Sequence, residues 1–279
     1  MNNEYEVYLI YAFPVDAEGE IMPSKLSEEI SQFESSQLEL SIIVPCLDEE
    51  ENIEPLLASL DDLRTQYNLA NFETLVLDDS SSDRTFEKVA ECFPKFTKLN
   101  IRAIRRYEPR RGYGAIVRFG IAHARGKYCV PVSADGVDPI ELIPVFLEKV
   151  RSGADLVQCS RYLNLGDDDT IPIKYKFCQT GWRFLIRMLM GQNIRDSTYA
   201  FKIFRRTDVL ALGLTTNGFS ISPEIFFKVL LSGGRVEHVP SGQGVRQRGK
   251  SHFIFRREGV GFVCVLLRAW LHRLGILWF

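Results

Sequence analysis

SIIVP (41–45) and ETLVLDD (73–79) are the two stretches that decide the fold. The first is a short β-branched run closed by proline, which is typical of a buried parallel strand, and the second predicts another strand. Apolar residues at helical spacing over Glu50–Leu63 separate the two runs, and a further helix is predicted over Asp83–Cys92. A strand, a helix and a strand in this order form the unit of a parallel sheet.

The same alternation continues along the chain. Strands are predicted at IRAIRR (101–106), KYCVPVSAD (127–135) and ADLVQCSR (154–161), and helices at Ala115–Ala124 and Glu141–Val150. The pattern predicts an α/β fold with a mostly parallel sheet and right-handed crossovers. Ligands bind beyond the carboxyl ends of such strands. We therefore expect the site in the loops Cys46–Glu49, Asp78–Ser82 and Ser133–Asp138.

Composition narrows the class of protein. The 279 residues carry a net charge of −2, which gives no electrostatic indication of a nucleic-acid partner. The six cysteines have no C-x-x-C spacing, so they predict reduced thiols in a cytosolic compartment. The first residues lack the basic segment and cleavage site of a signal peptide.

The longest apolar stretch is Gly259–Phe279. Arg268, His272 and Arg273 interrupt it before the roughly 20 apolar residues that a bilayer span requires. It predicts an amphipathic helix at a membrane interface or a helix docked on the core, and a third alternative is that membrane segments follow it. We expect a cytoplasmic protein, peripheral on the cytoplasmic face of a membrane.

Two pairs of carboxylates carry the chemistry. Asp78 and Asp79 end a predicted strand in front of a run of serines, where one residue would suffice to cap the next helix. Carboxylates at this edge can accept hydrogen bonds from a nucleobase or from ribose hydroxyls. Asp135 ends another strand, with Asp138 close behind, and such carboxylates can hold a divalent cation on a diphosphate.

Four signatures now stand in order: VPCLDEEENI (44–53), LVLDDSSSDRT (75–85), the stretch from Arg110 to Pro144, and DSTYAFKIFRR (196–206). Glu224 and RQRGKSH (246–252) follow them. Together they resemble the family 2 glycosyltransferases of GT-A fold, in the polyprenyl-phosphate branch that includes dolichol-phosphate mannose synthase. The resemblance covers residues 40–255.

The resemblance implies three units: an N-terminal appendage (1–38), a GT-A catalytic domain (39–257) and an amphipathic C-terminal helix (258–279). Within the domain, residues 39–165 would bind the nucleotide sugar and residues 166–257 the acceptor.

The resemblance also implies roles for individual residues. Those that would bind the nucleotide are Pro45, Glu49, Asp78 and Asp79. The catalytic residues would be Asp135, Arg161 and Arg246, and those on the acceptor phosphate Lys176, Gln179 and Ser251. Asp135 and Asp138 would hold Mg²⁺ or Mn²⁺.

Four departures from the family pattern bear on these roles. Ser133 replaces the first carboxylate of the D-x-D metal motif, and Val137 replaces a glutamine found in some relatives. Ala200 and His252 replace a glycine and a lysine. Metal binding is therefore expected to be weaker, reorganised through Asp138, or absent.

The resemblance predicts an inverting transfer of a hexose from a GDP-mannose or UDP-glucose type of donor to a polyprenyl or dolichyl phosphate at a membrane interface. A glycan hydroxyl as acceptor, or a catalytically impaired nucleotide-sugar-binding homologue, remain alternatives. Two other motifs are less convincing. GVRQRGKS (244–251) matches the P-loop pattern but no strand run follows it, and Gly112-x-Gly114 is a partial dinucleotide fingerprint.

Overall fold

The computed structural model describes residues 7–11, 38–107, 111–160, 173–240 and 255–279. Its strands are β1 (Val7–Tyr11), β2 (Leu40–Cys46), β3 (Phe72–Asp78), β4 (Ile101–Arg106), β5 (Tyr128–Pro131), β6 (Leu156–Ser160), β7 (Lys202–Arg205) and β8 (Val236–Pro240). Its α-helices are α1 (Ile53–Tyr67), α2 (Thr85–Cys92), α3 (Tyr113–His123), α4 (Ile143–Arg151), α5 (Ile173–Met190), α6 (Arg206–Ala211), α7 (Ile221–Leu231) and α8 (Phe255–Arg273).

The described strands form one sheet in the order β1-β4-β3-β2-β5-β7-β6-β8. The pairs β2–β3, β2–β5, β3–β4 and β6–β8 are parallel. β7 lies antiparallel between β5 and β6, and β1 pairs antiparallel with β4 at the edge. The predicted mostly parallel α/β sheet is confirmed, with two strands reversed.

The strand predicted at 127–135 is shorter than expected. β5 ends at Pro131, and the bond from the Val132 N–H to the Ile43 carbonyl (2.8 Å) is the last that this segment donates to β2. Ser133 and Asp135 therefore lie in the following loop, because the backbone leaves the ladder before it reaches them. The prediction that Asp135 ends a strand was wrong by four residues.

Helices cover both faces of the sheet. Helices α1, α2 and α4 share one buried cluster with Ile42 and Val44 of β2. Helices α3, α5, α7 and α8 share the other with Ile43. Burial on both faces explains why the strands are nearly continuous apolar runs.

Helix α8 has one buried face and one exposed face. Val265 and Leu266 are buried in the second cluster, whereas Val260 and Val263 are exposed. One face is therefore docked on the core, as one of the sequence alternatives expected, and the other is left exposed. Among the described residues, no helix has the length and apolarity needed to cross a bilayer.

Candidate active site

The first two loops at the carboxyl edge are bonded to each other. Asp48, whose φ is +55°, donates its N–H to Ser81 Oγ (3.0 Å) and accepts the Ser82 N–H at Oδ1 (2.7 Å). The Glu49 N–H donates to Thr85 Oγ1 at 2.8 Å. Aspartate and asparagine tolerate this left-handed conformation better than most residues do. The loops after β2 and β3 are thus fixed relative to one another.

Two consecutive arginines at the end of β4 pair with the two aspartates. Arg105 Nε makes an ion-pair contact of 2.9 Å with Asp78 Oδ2. Arg106 Nε and Nη2 lie 2.8 and 2.7 Å from Asp79 Oδ1, and Asp79 Oδ2 accepts the Gly112 N–H at 3.3 Å. Neighbouring residues of a strand point to opposite faces, so each arginine reaches a different carboxylate. Neither arginine was among the site residues predicted from the sequence, although both close the apolar strand predicted at 101–106.

Asp78 is fully buried, and its environment differs from that of an exposed ligand-binding carboxylate. Burial raises its pKa, while hydrogen bonds from Ser81 and the charge of Arg105 oppose the shift. The Arg105 guanidinium also lies over the Phe86 and Tyr107 rings, at 5.5 and 5.4 Å. Asp78 therefore anchors the loop from inside the protein.

The remaining predicted nucleotide residues lie at the same edge. Pro45 is in β2, opposite Leu77 in the register with β3. Glu49 is 8% exposed, and its Oε2 accepts a hydrogen bond from Asn52 Nδ2 at 2.6 Å. The fold thus brings Pro45, Glu49, Asp78 and Asp79 together, and their contact with a nucleotide remains a prediction.

Asp135 and Asp138 lie in the loop after β5 but differ in environment. Asp138 is buried, and its Oδ2 accepts the Ser133 N–H at 2.7 Å. Burial, assisted by the charge of Asp135, raises the pKa of Asp138 to about 6. Asp135 is only partly buried, and its Oδ1 accepts the Val137 N–H at 3.4 Å.

This loop fits a metal ion that is held mainly by the phosphate oxygens of a bound nucleotide. Within the described residues, no group of three or more His, Cys, Asp or Glu side chains is arranged to hold a metal ion. Mg²⁺ in nucleotide sites usually takes one or two carboxylates and completes its shell with phosphate oxygens and water. Asp135 fits that mode, whereas Asp138 is already bonded to Ser133.

The predicted acceptor residues are described only in part. Gln179 on α5 donates from Nε2 to Thr198 Oγ1 at 3.3 Å. Asp196 Oδ1 accepts the N–H groups of Thr198 (3.0 Å) and Tyr199 (3.3 Å) and shapes the DSTYAF turn. Outside the described residues lie Arg161, Arg246, Ser251, the side chain of Lys176 and the P-loop-like segment.

Lys202 follows that turn, and its side chain is fully buried. Its Nζ donates to the carbonyl oxygen and to Oγ of Ser222, both at 2.8 Å. Burial lowers the pKa of Lys202 to about 7, and the charge of Asp196 opposes that shift.

Gly112 and Gly114 have a packing role. A Cβ on Gly114 would lie 2.6 Å from the Thr216 carbonyl oxygen and 2.7 Å from that of Gly218. A Cβ on Gly112 would lie 2.4 Å from the Asn217 carbonyl oxygen. The two glycines let the start of α3 approach this loop closely, which explains the partial dinucleotide fingerprint.

Comparison with known proteins agrees with this geometry. The family model described as glycosyl transferase family 2 matches residues 41–213, which include β3 to β7, nearly all of β2, and the loops and carboxylates described above. The chain belongs to this family. Its fold is the GT-A fold that the sequence predicted.

Two curated relatives show which family 2 glycosyltransferases the chain resembles. It is 32% identical over 216 residues to dolichol-phosphate mannosyltransferase of Pyrococcus furiosus. The aligned residues cover 77% of this chain and 59% of the relative. It is 25% identical over 244 residues to dolichyl-phosphate beta-glucosyltransferase of Saccharomyces cerevisiae, covering 81% and 73%. The chain thus spans about three fifths of the archaeal relative.

Among solved structures, this family 2 glycosyltransferase resembles glucosyl-3-phosphoglycerate synthase of Mycobacterium tuberculosis, in complex with Mn²⁺, UDP-glucose and phosphoglyceric acid. The TM-score is 0.62 at 18% identity, and the match covers 89% of this chain and 84% of the other. At this identity the likeness shows the fold alone.

Proposed function

We propose that the chain transfers a hexose, with inversion, from a GDP-mannose or UDP-glucose type of donor to a polyprenyl phosphate. The observation that carries the proposal is one sheet edge where Asp79, paired with Arg106, follows β3 and Asp135 follows β5. Similarity to the dolichol-phosphate mannosyltransferase and dolichyl-phosphate glucosyltransferase supports this choice of substrates. Residues 39–165 would bind the donor and residues 166–257 the acceptor.

The proposed acceptor removes the need for a general base. A phosphate monoester, with a second pKa near 6, is already an anionic nucleophile at neutral pH. Displacement at the anomeric carbon passes through an oxocarbenium-like state, so the protein mainly positions the reactants and neutralises the leaving diphosphate.

The described histidines are consistent with this mechanism. The Nδ1 of His123 is bonded to the Phe119 carbonyl, and the Nε2 of His238 to the Asp196 carbonyl. The Nδ1 of His272 accepts the Phe279 N–H. Each of these three side chains therefore has a structural role.

A divalent cation would neutralise the charge that develops on the diphosphate. Asp135 is the residue that we propose to hold Mg²⁺ or Mn²⁺, and the Mn²⁺ in the mycobacterial structure supports this cofactor. Ser133 and Val137 supply no carboxylate or amide, so we propose weaker binding of the metal in the absence of nucleotide.

An exposed apolar surface supports the membrane as partner. Helices α5 and α8 pack together and, with the residues after α8, expose Phe184, Met188, Val260, Val263, Leu267, Leu274, Ile276 and Trp278. Trp278 is 89% exposed and Phe184 65%. Exposed aromatic and aliphatic side chains along amphipathic helices are typical of interfacial binding.

The cysteines support the cytoplasmic face of that membrane. Cys46, Cys92, Cys129 and Cys264 are free thiols, and the first three are buried. Free thiols are the normal state in a reducing compartment.

The experiment measures release of nucleoside diphosphate from a panel of GDP- and UDP-sugars, with polyprenyl phosphate in micelles, with and without Mg²⁺ or Mn²⁺. We expect turnover that requires both the lipid phosphate and a metal and that falls at least about 100-fold in Asp135→Ala. Turnover with a glycan hydroxyl, and none with the lipid phosphate, would refute polyprenyl phosphate as the acceptor. Saturable nucleotide-sugar binding without turnover would identify an impaired homologue, in which Ser133 stands where the family motif has its first carboxylate.

A further inference from the structure

The loop between α6 and α7, residues 213–219, is here called the strap loop. Its first half is anchored by Glu224 of α7, a fully buried carboxylate. Glu224 Oε1 accepts the Thr215 N–H at 2.8 Å, and Oε2 accepts the Thr216 N–H at 2.9 Å. Burial alone would raise the pKa of Glu224, but hydrogen bonds from the two threonines and the nearby Lys228 outweigh it and lower the pKa. Glu224 is thus held ionised as an acceptor.

The second half of the strap loop is anchored from another helix. Glu258, in the first turn of α8 and 4% exposed, accepts the Phe219 N–H at Oε2 with a distance of 2.9 Å. A Cβ on Gly218 would lie 2.7 Å from the same oxygen, so the carboxylate packs directly against the backbone. The C-terminal helix therefore holds the end of the strap loop.

The other side of the strap loop contacts the start of α3. The Asn217 carbonyl accepts the N–H groups of Gly114 (2.8 Å) and Ala115 (3.2 Å). The Phe219 ring stacks on Tyr113, with centroids 4.7 Å apart and planes 8° apart. The position of Tyr113 is therefore set by the strap loop, since a parallel stack leaves little freedom to either ring.

Tyr113 follows Gly112, whose N–H donates to Asp79 Oδ2 at 3.3 Å. A Cβ on Gly112 would overlap the Asn217 carbonyl oxygen, so the strap loop packs directly against this residue as well. A continuous set of contacts thus runs from Glu258 through Phe219 and Tyr113 to Gly112 and Asp79.

We propose that Glu258 is a positioning residue for the donor site, acting through the Phe219–Tyr113 stack on Asp79. The proposal rests on the proposed function, in which Asp79 binds the nucleotide of the donor. Neutralising Glu258 weakens a charge-assisted hydrogen bond to the partly buried Phe219 N–H, and the stacked ring pair loses its fixed reference. Small displacements of a binding group are costly, because positioning supplies much of its effect.

The test compares Glu258→Gln and Phe219→Leu with the control Glu237→Gln. Glu237 is also a glutamate that accepts hydrogen bonds, from Lys149 (2.9 Å) and Arg235, but it lies on β8, outside the strap loop. Calorimetry measures the Kd of UDP and of GDP in the presence of Mn²⁺. Hydrogen exchange reports on residues 213–219, and thermal unfolding reports on the fold.

We expect Glu258→Gln and Phe219→Leu each to weaken binding of the metal–nucleotide by about threefold to tenfold, with the control unchanged. The KM for the lipid phosphate stays constant. A general loss of folding would instead lower the apparent kcat and leave the Kd of the folded molecules unchanged. If Glu258→Gln fails to fold, the test rests on Phe219→Leu, through its Kd for the metal–nucleotide and its KM for the lipid phosphate. Faster exchange in the strap loop with an unchanged Kd would overturn the positioning role. Absence of nucleotide binding by the wild-type protein would instead refute the proposed function, and the positioning role with it.

Discussion

Replacing Arg106 with methionine tests whether the ion pair at the nucleotide edge is a structural requirement of the site. The side chains of Arg106 and Asp79 are each 4% exposed, and two guanidinium nitrogens lie 2.8 and 2.7 Å from Asp79 Oδ1. Arg106→Met keeps the unbranched apolar stem of the side chain and removes the positive charge. The Asp79 carboxylate then stays buried, with the Gly112 N–H still bonded to its other oxygen.

Breaking a buried pair by removing one partner typically costs about 3–5 kcal/mol, because the remaining charge is left uncompensated. With an m-value of about 3 kcal/mol/M, the urea midpoint should fall by about 1–1.7 M. The matched control is Arg84→Met. Its ion pair with Glu91 has side chains 64% and 43% exposed, so its loss should cost at most about 1 kcal/mol.

The assay is urea unfolding followed by circular dichroism, extended to a double-mutant cycle. Asp79→Leu combined with Arg106→Met should be destabilised far less than the sum of the single changes, since the pair is removed together. A cost below about 1 kcal/mol for Arg106→Met, equal to the Arg84→Met control, would refute the reasoning.

Three further outcomes are expected. A Cβ on Gly120 of α3 would lie 2.6 Å from side chains of β2 and β3, so Gly120→Ala should destabilise the protein by about 1–3 kcal/mol in urea unfolding. Gly181 lies in a helix, and, apart from its chain neighbours and the backbone of its own helix, no atom of the described residues lies within 4 Å of the Cβ that Gly181→Ala would add, so this change should stabilise the protein by about 0.5–1 kcal/mol. Equal effects of Gly120→Ala and Gly181→Ala would contradict this contrast. Burial depresses the pKa of Lys202 from 10.5 to about 7, so the stability it contributes is complete above pH 10.5 and lost as the pH falls to 7. The unfolding free energy of wild type relative to Lys202→Met should therefore grow by about 2 kcal/mol between pH 7 and pH 9, and a flat difference would be inconsistent with a buried, neutralised lysine. Phe184→Ser combined with Trp278→Ser should reduce sedimentation with phosphatidylglycerol vesicles at least about tenfold, while unaltered binding would place the membrane contact elsewhere.

The sequence was sufficient wherever a local pattern has one structural solution. The apolar runs at 41–45 and 73–79 can be buried on both faces only in a covered parallel sheet, and they form β2 and β3. Since the carboxyl ends of parallel strands meet at one edge, the convergence of Glu49 and Asp79 there could also be predicted.

Contacts between distant segments required the tertiary structure. Arg106 and Asp79 are 27 positions apart, and their pairing follows from the register of β3 against β4, which neither sequence pattern contains. The early end of β5, the reversed β7 and the anchoring of the strap loop by Glu258 depend likewise on which segments become neighbours. Periodicity reports the environment of each residue along its own strand or helix. Which charge meets which is set only when the packed sheet brings the segments together, because a buried charge is stabilised by the partner nearest in space.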